Sequence, residues 1–345
     1  MTTGVVFTED FKKHDTGRSH PESAGCVDAV ARALRDPSLT DKLKVLEPRR
    51  AEREEILLVH WDRLYDEVLE SAGKKRTHLD SDSVASAETA EVTHLAAGSV
   101  LTATEAVIDK TVQNAFAFPR PPGHHAKPDK AMGFCIFNNV AIAAQYAQTR
   151  FQLDKILILD FDVHHGNGTQ KVFYTSPEVL FLSTHELGNY PGTGDLGEIG
   201  KEEGEGFTLN VPMPPGMGSP EFLRIFRDDV VPVGLEFAPE LILVSAGFDA
   251  HRDDPLGGMN LTRDGYAGIT HEILRLAEST CDGKVVFALE GGYDLHALEN
   301  SIVSTLAVMT GERTLESADA GKAAEALVNE VREAHGAYWS SLREH

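Results

Sequence analysis

Five short apolar runs, at residues 115–118, 156–161, 179–183, 241–246 and 285–289, alternate with long amphipathic segments. The runs are rich in β-branched residues and bounded by turn or charged residues, the pattern of buried strands. Residues 5–7 and 44–46 are weaker candidates of the same kind. The segments 23–34, 60–71, 86–109, 138–149, 220–235, 262–278 and 295–309 read as helices. Thr262 followed by Asp264, and Ser86 followed by Glu88 and Thr89, read as capped helix starts. Continuous apolar strands separated by helices predict an α/β chain built on a parallel sheet with helices on both faces. No repeat, low-complexity tract or Pro- or Gly/Ser-rich linker divides the sequence, so one domain over residues 1–345 is expected. Residues 194–206 read as a loop, and 322–344 as a charged amphipathic helix.

Composition narrows the function. With 32 Lys and Arg against 54 Asp and Glu, the net charge is −22. Such a field repels nucleic acid and anionic membranes and attracts cationic ligands, so neither a nucleic-acid nor a membrane partner is expected. Apolar residues make up 41% and charged residues 25%, which is globular rather than disordered composition. A chain of this length buries roughly 75% of its unfolded surface and needs no disulfide to hold a core. Cys26, Cys135 and Cys281 are too few for a disulfide framework and suit a reducing compartment. No signal-peptide pattern and no run of about 18 apolar residues is present, so a cytoplasmic protein is expected.

In an open parallel sheet, ligands bind beyond the carboxyl ends of the strands. The residues found there carry the chemistry. They are Arg120-Pro121-Pro122-Gly123-His124-His125, Asp160-Phe161-Asp162-Val163-His164-His165-Gly166-Asn167, Ser183-Thr184-His185, Gly247-Phe248-Asp249 and Glu290-Gly291-Gly292-Tyr293. Asp162 and His164 stand two apart in a chain leaving a strand, so both can turn toward one ion. Asp249 is the natural third ligand. Two carboxylates and one imidazole leave a position open, as a catalytic zinc site does, and also admit Fe²⁺ or Mn²⁺. The plainer explanation of Asp162 and His164 is a hydrogen-bonded turn. His124 and His125, on a rigid turn, suit proton handling, although they could instead be ligands or loop caps. Asp160 and Asn167 are the polar candidates to orient them. The Tyr293 hydroxyl can donate to an oxyanion, or Tyr293 can be a packed aromatic. Cys135 reads as a packed thiol, and the acidic run 201–205 as a solvated loop.

Together with Gly133-Phe134-Cys135, Tyr190-Pro191-Gly192-Thr193-Gly194 and Leu289-Glu290-Gly291-Gly292-Tyr293, these motifs resemble the zinc-dependent histone deacetylase family over residues 4–310. Asn167, Leu256 and the Leu-Glu-Gly-Gly-Tyr form resemble its class II branch and the bacterial histone deacetylase-like amidohydrolases. The resemblance implies a single-domain arginase/deacetylase fold with an eight-stranded parallel sheet. It implies one catalytic Zn²⁺ on Asp162, His164 and Asp249, with His124 and His125 as proton-transfer residues and His125 as general base. Asp160 would orient His124, Asn167 would orient His125, and Tyr293 would stabilise the oxyanion. Gly133, Phe134, Tyr190, Leu256 and Tyr293 would line a tunnel for an acetylated lysine or a small N-acyl amine, with Asp82 at the rim. The family's structural K⁺ would lie at an inner site of Asp160, Asp162, His164, Ser183 and Thr184. An outer K⁺ site would involve Phe173, Ser176, Val179 and Phe207.

The sequence departs from the family in places. Cys26 stands where an Arg usually lines an internal acetate channel, and Tyr190 stands where a tunnel wall is usually Phe. Leu256 is not the Glu of a polyamine-selective enzyme, and residues 72–100 lack the insertion of acetylpolyamine amidohydrolases. The competing readings are an acetylpolyamine or other small-amide hydrolase, a non-catalytic zinc-holding acyl-lysine module, and a binuclear Mn²⁺ hydrolase like arginase. The last needs bridging carboxylates where His124 and His125 stand. Nothing marks an oligomer interface, and a homo-oligomer through the C-terminal helix stays open.

Overall fold

The apolar runs are the strands of one sheet. The computed structural model describes residues 2–39, 41–315 and 324–343. In chain order the strands are β1 (Thr3–Val6), β2 (Leu43–Leu46), β3 (Thr77–His78), β4 (Val84–Ala85), β5 (Asn114–Ala117), β6 (Ile156–Asp160), β7 (Val179–Glu186), β8 (Thr208–Met213), β9 (Leu241–Ala246) and β10 (Val285–Leu289). β3 and β4 form a small antiparallel hairpin. The other eight form a sheet in the order β2-β1-β5-β10-β9-β6-β7-β8, and every pairing in it is parallel.

Strand side chains alternate between faces, and here both faces are buried. Leu157 and Leu159 of β6, Ile242 and Val244 of β9, and Phe287 of β10 enter one core, with residues of the helices Gly25–Ala33, Arg263–Cys281, Leu295–Met309 and Glu325–His335. Ile156 and Ile158, Leu241 and Leu243, and Val286 and Ala288 enter the other, with the helices Asp62–Glu70, Thr89–Ile108 and Asn139–Phe151. Burial on both sides is why these strands read as unbroken apolar runs. Side-chain caps start several helices. Thr262 accepts from the Gly265 amide, Asn138 from Ala141, and Asp294 from His296 and Ala297.

Some elements differ from expectation. Ser86 caps nothing directly: that helix begins at Thr89, and the Ser86 carbonyl and hydroxyl meet Thr89 in the preceding turn. The helix expected at 220–235 is Ser219–Ile225 and Val231–Phe237, joined by a π turn over Phe226–Val230. Pro232 has no N–H for the regular ladder, and the Val231 amide bonds back five residues to the Phe226 carbonyl. β8 was not anticipated, because Thr208, Asn210 and Pro212 interrupt its apolar pattern. β7 runs on through the polar Thr184-His185-Glu186. The loop at 194–206 contains a short turn of 3₁₀ helix, Glu202–Gly204. Of the helix expected at 322–344, Glu325–His335 is helical and Ser340–Leu342 forms a 3₁₀ turn. Residues 322, 323 and 344 lie outside the described residues.

Candidate active site

The four central strands, β5, β10, β9 and β6, deliver the candidate residues to one edge of the sheet. His124 and His125 follow β5. Asp160 ends β6, and Asp162, His164 and Asn167 follow it. Asp249 follows β9, and Glu290 to Tyr293 follow β10.

Asp162, His164 and Asp249 are all buried and offer donor atoms within 4.8 Å of one another. His164 Nδ1 lies 3.0 Å from Asp162 Oδ1 and 3.2 Å from Asp249 Oδ2. Backbone amides fix the carboxylates from behind. Gly291 donates to Asp162 Oδ2 at 2.8 Å, and Val163 donates to Asp249 Oδ1 at 2.9 Å. Asp249 Oδ2 is buried and, among the described residues, makes no regular hydrogen bond; the His164 ring nitrogen is its polar neighbour, at 3.2 Å. Burial and the Asp162 charge push the Asp249 carboxyl up to about 7. Burial opposes charge on His164, yet the two carboxylates raise it to about 10. A buried carboxylate oxygen with no regular hydrogen bond, a second carboxylate and an imidazole facing one point form a donor set that fits a divalent cation. A side chain at position 291 would destroy it: a Cβ there would come within 2.0 Å of Asp249 Oδ2.

The two histidine rings lie side by side, with centroids 4.0 Å apart. His124 Nδ1 is 3.0 Å from Asp160 Oδ2, and His125 Nδ1 is 2.8 Å from Asn167 Oδ1. Different partners give the rings different proton affinities. Burial disfavours charge on His124, but Asp160, Asp162 and Glu290 together raise it well above the ordinary value. Burial and the neighbouring His124 and His164 hold His125 well below it. Asn167 Oδ1 can only accept, so His125 Nδ1 carries the hydrogen and Nε2 is left as a free acceptor. Asn167 Nδ2 faces Met132 Sδ at 3.5 Å, consistent with that amide orientation.

The approach is walled by aromatic and backbone groups. The Tyr190 ring stands edge-on to His125, with centroids 5.0 Å apart, and Phe134 faces Tyr293 at 6.0 Å. Gly133 has φ +58° and its Cβ position lies 2.4 Å from the His125 ring, so only glycine fits. Leu256 joins through its carbonyl, which accepts from Asn189 Nδ2 at 3.2 Å. At the rim, Asp80 is tied to Lys130 at 2.5 Å, whereas Asp82 has no ion pair among the described residues. Its carbonyl is 3.1 Å from His20 Nε2. Burial, with Asp82 and Asp80 behind it, pushes the Tyr190 phenol up, which keeps it protonated.

The potassium candidates divide. Asp160 and Ser183 are register partners across β6 and β7, and the buried Thr184 hydroxyl has no hydrogen-bond partner among the described residues. Asp160 Oδ1 accepts from the Asp162 amide at 3.2 Å. In the outer set the Phe173 carbonyl accepts from Ser176 and the Phe207 carbonyl from Phe181, both at 3.0 Å, and Val179 opens β7.

Sequence reasoning assigned no role to Glu290, Asp254 or the pair Glu22 and Arg120. Glu290 Oε2 accepts from the Gly123 and His124 amides at 2.7 and 3.1 Å, and Ser245 donates to Oε1 at 3.1 Å. It clamps the histidine turn to the ends of β9 and β10. A carboxylate directly after an apolar strand was the available signal. Asp254 accepts from the Tyr293 and Asp294 amides at 2.7 and 3.1 Å and so places the tyrosine. Within Arg252-Asp253-Asp254-Pro255 it is indistinguishable from a solvated charge run. Buried Arg120 lies 2.5 Å from Glu22 and also donates to the Phe11 and His14 carbonyls. His124, Cys135 and Glu290 also lie within ligand distance of one another. They do not resemble a second metal centre, because Glu290 Oε2 already holds two amides and burial raises the Cys135 thiol well above its ordinary value.

Residues 20–309 match the model of the histone deacetylase domain. A probable deacetylase of Archaeoglobus fulgidus is 38% identical over 99% of this chain and 100% of its own length. The chloroplastic histone deacetylase 14 of Arabidopsis thaliana is 41% identical over 87% of this chain and 75% of its own. The crystal structure of the HDA15 HD domain superposes with a TM-score of 0.92 at 35% identity, covering 99% of this chain and 96% of that one.

Proposed function

The chain belongs to the histone deacetylase family, a family of amide-bond hydrolases with the arginase/deacetylase fold, and on that premise we propose that it is a zinc-dependent deacetylase of N-acetyl-lysine. One observation carries the reading. The donor set of Asp162, His164 and Asp249 lies at the same sheet edge as two histidines whose protonation is set in opposite directions.

Zinc held by Asp162, His164 and Asp249 would polarise the substrate carbonyl and lower the pKa of a water toward ~7. The remaining steps belong to the chain's own residues. Neutral His125 takes the proton of the attacking water at Nε2, its other nitrogen being fixed by Asn167. Water oxygen adds to the acetyl carbon, and the C–N bond then breaks. The leaving amine takes a proton from the histidine pair, and acetate is the second product. Tyr293, whose phenol burial holds well above its ordinary pKa, stays protonated and donates to the carbonyl oxygen as it becomes an oxyanion. Gly133, Phe134, Tyr190 and Leu256 enclose the acyl-lysine chain, and Asp82, which has no ion pair among the described residues, meets the substrate backbone at the rim. The same ligands suit Fe²⁺, which reconstitution would distinguish. The buried Thr184 hydroxyl, without a hydrogen-bond partner among the described residues and one residue beyond Ser183, the register partner of Asp160, supports an inner K⁺ site. The last helix buries Leu327, Val328 and Val331 in the main core, which supports reading the chain as one catalytic domain. No helix among the described residues is long and apolar enough to cross a membrane.

Acetate release tests the reading. The panel is an acetyl-lysine peptide, a trifluoroacetyl-lysine peptide and acetylputrescine, each with and without added Zn²⁺. Zinc-dependent turnover of the lysyl substrates is expected. Turnover of acetylputrescine alone would replace the substrate, and saturable peptide binding without acetate release would replace the activity.

A further inference from the structure

One pocket has Asn167 in its wall and none of Asp162, His164 or Asp249. It is open, with a volume of about 470 Å³, within the ~300–1,000 Å³ of small-molecule sites. Lys127, Lys171 and Lys201 stand on its walls, with Tyr174, Asn167 and Glu198. The lysines come from three separate parts of the chain: the loop after β5, the helix Asn167–Phe173 and the segment before β8.

The charge here runs against that of the molecule. In a chain of net charge −22, three lysines line one hollow. None of these three has an ion pair among the described residues, a state they share with Lys44, Lys74 and Lys75, so what distinguishes them is that they line one hollow. Glu198 sets one carboxylate against the three lysines, and neutral amide donors hold it in place within the pocket wall. Its Oε2 accepts from Gln170 Nε2 at 2.5 Å and its Oε1 from the Gly194 amide at 3.0 Å. The lysine backbones are anchored. The Lys201 amide donates to the Tyr174 carbonyl at 2.8 Å, and the Lys127 carbonyl is 3.1 Å from His60 Nδ1. Like charges around a concavity repel one another unless an anion joins them, and lysine is a point-charge ligand for phosphate.

We propose that this pocket binds a phosphate-bearing small molecule, with Lys127, Lys171 and Lys201 on the phosphate oxygens. The site is separate from the metal ligands and does not depend on the deacetylase reading. Asn167 is the wall the two share.

Calorimetric titration of the metal-loaded protein with pyrophosphate, AMP and adenosine tests this. Pyrophosphate is expected to bind with one-to-one stoichiometry. Changing all three lysines to Ala should weaken it by about tenfold or more at low salt, and changing all three to Arg should preserve it. Changing Lys44, Lys74 and Lys75 to Ala, on a remote surface, should leave it unaltered. AMP binding more tightly than pyrophosphate would identify a nucleotide, and equal affinity the phosphate alone; adenosine should not bind. Absence of pyrophosphate binding would overturn the proposal. So would binding that survives the triple Ala substitution, which would place the anion at the metal centre, or equal weakening by the remote substitutions, which would reduce the effect to net charge.

Discussion

Tyr293 and Asp249 show what single side chains contribute. Tyr293 is placed through its backbone, which Asp254 holds, so removing only the hydroxyl leaves the scaffold intact. Tyr293→Phe should retain metal and melting temperature while losing about 10²–10³ in kcat, the usual cost of one oxyanion donor. Near-wild-type turnover would remove Tyr293 from the chemistry. Asp249→Ala or His164→Ala should instead lose the metal, read by elemental analysis after dialysis. Full zinc occupancy in either would refute the ligand set. Asp162, His164, Asp249 and the histidine pair were legible in the sequence because strand ends and period-two spacing mark them. Asp254 was not, because its work is to accept backbone N–H groups, and Glu290 offered only its place directly after an apolar strand. A residue that bonds to main chain leaves no trace in the type of its partner.

Single elements were readable where an unbroken run of buried residues is apolar. β6, β9 and β10 are covered on both faces and stand out as apolar runs. β8, next to β7 at the sheet edge, carries Asn210, whose amide turns to Gln170 and the Glu198 carbonyl. Its polarity serves a side-chain network and hides the strand. The helix Glu325–His335 carries a pH dependence of its own. His335 is fully buried, neither ring nitrogen has a hydrogen-bond partner among the described residues, and burial lowers it to about 4. The unfolded chain therefore binds a proton there between about pH 6.5 and 4 that the folded chain refuses. This group's stability is fully present above 6.5 and is lost on acidification, at about 1.4 kcal/mol per unit. His335→Leu should thus gain on wild type as pH falls. Urea midpoints at pH 7.5 and 5 measure it, and an equal offset at both would show that His335 does not titrate in this way.

At the scale of the molecule, the proposed metal joins β6 to β9. Asp162 and His164 lie beyond one strand, Asp249 beyond its neighbour, and a cation bound by all three stabilises only the folded chain. Chelation should lower the melting temperature, by the equivalent of about 2.7 kcal/mol when free metal had stood at 100 times its Kd. Excess Zn²⁺ should restore it, and an unchanged melting temperature would rule out a cation in that position. The strand order has another consequence. β10 lies between β5 and β9, joining β2, β1 and β5 to β9, β6, β7 and β8. It is also the last sheet strand to be synthesised. Pairings so distant along the chain form late. On the ribosome, two partial sheets with open edges must wait until residue 289 has cleared the exit tunnel. Such edges are prone to aggregation, so this is the interval in which a nascent chain most needs a chaperone.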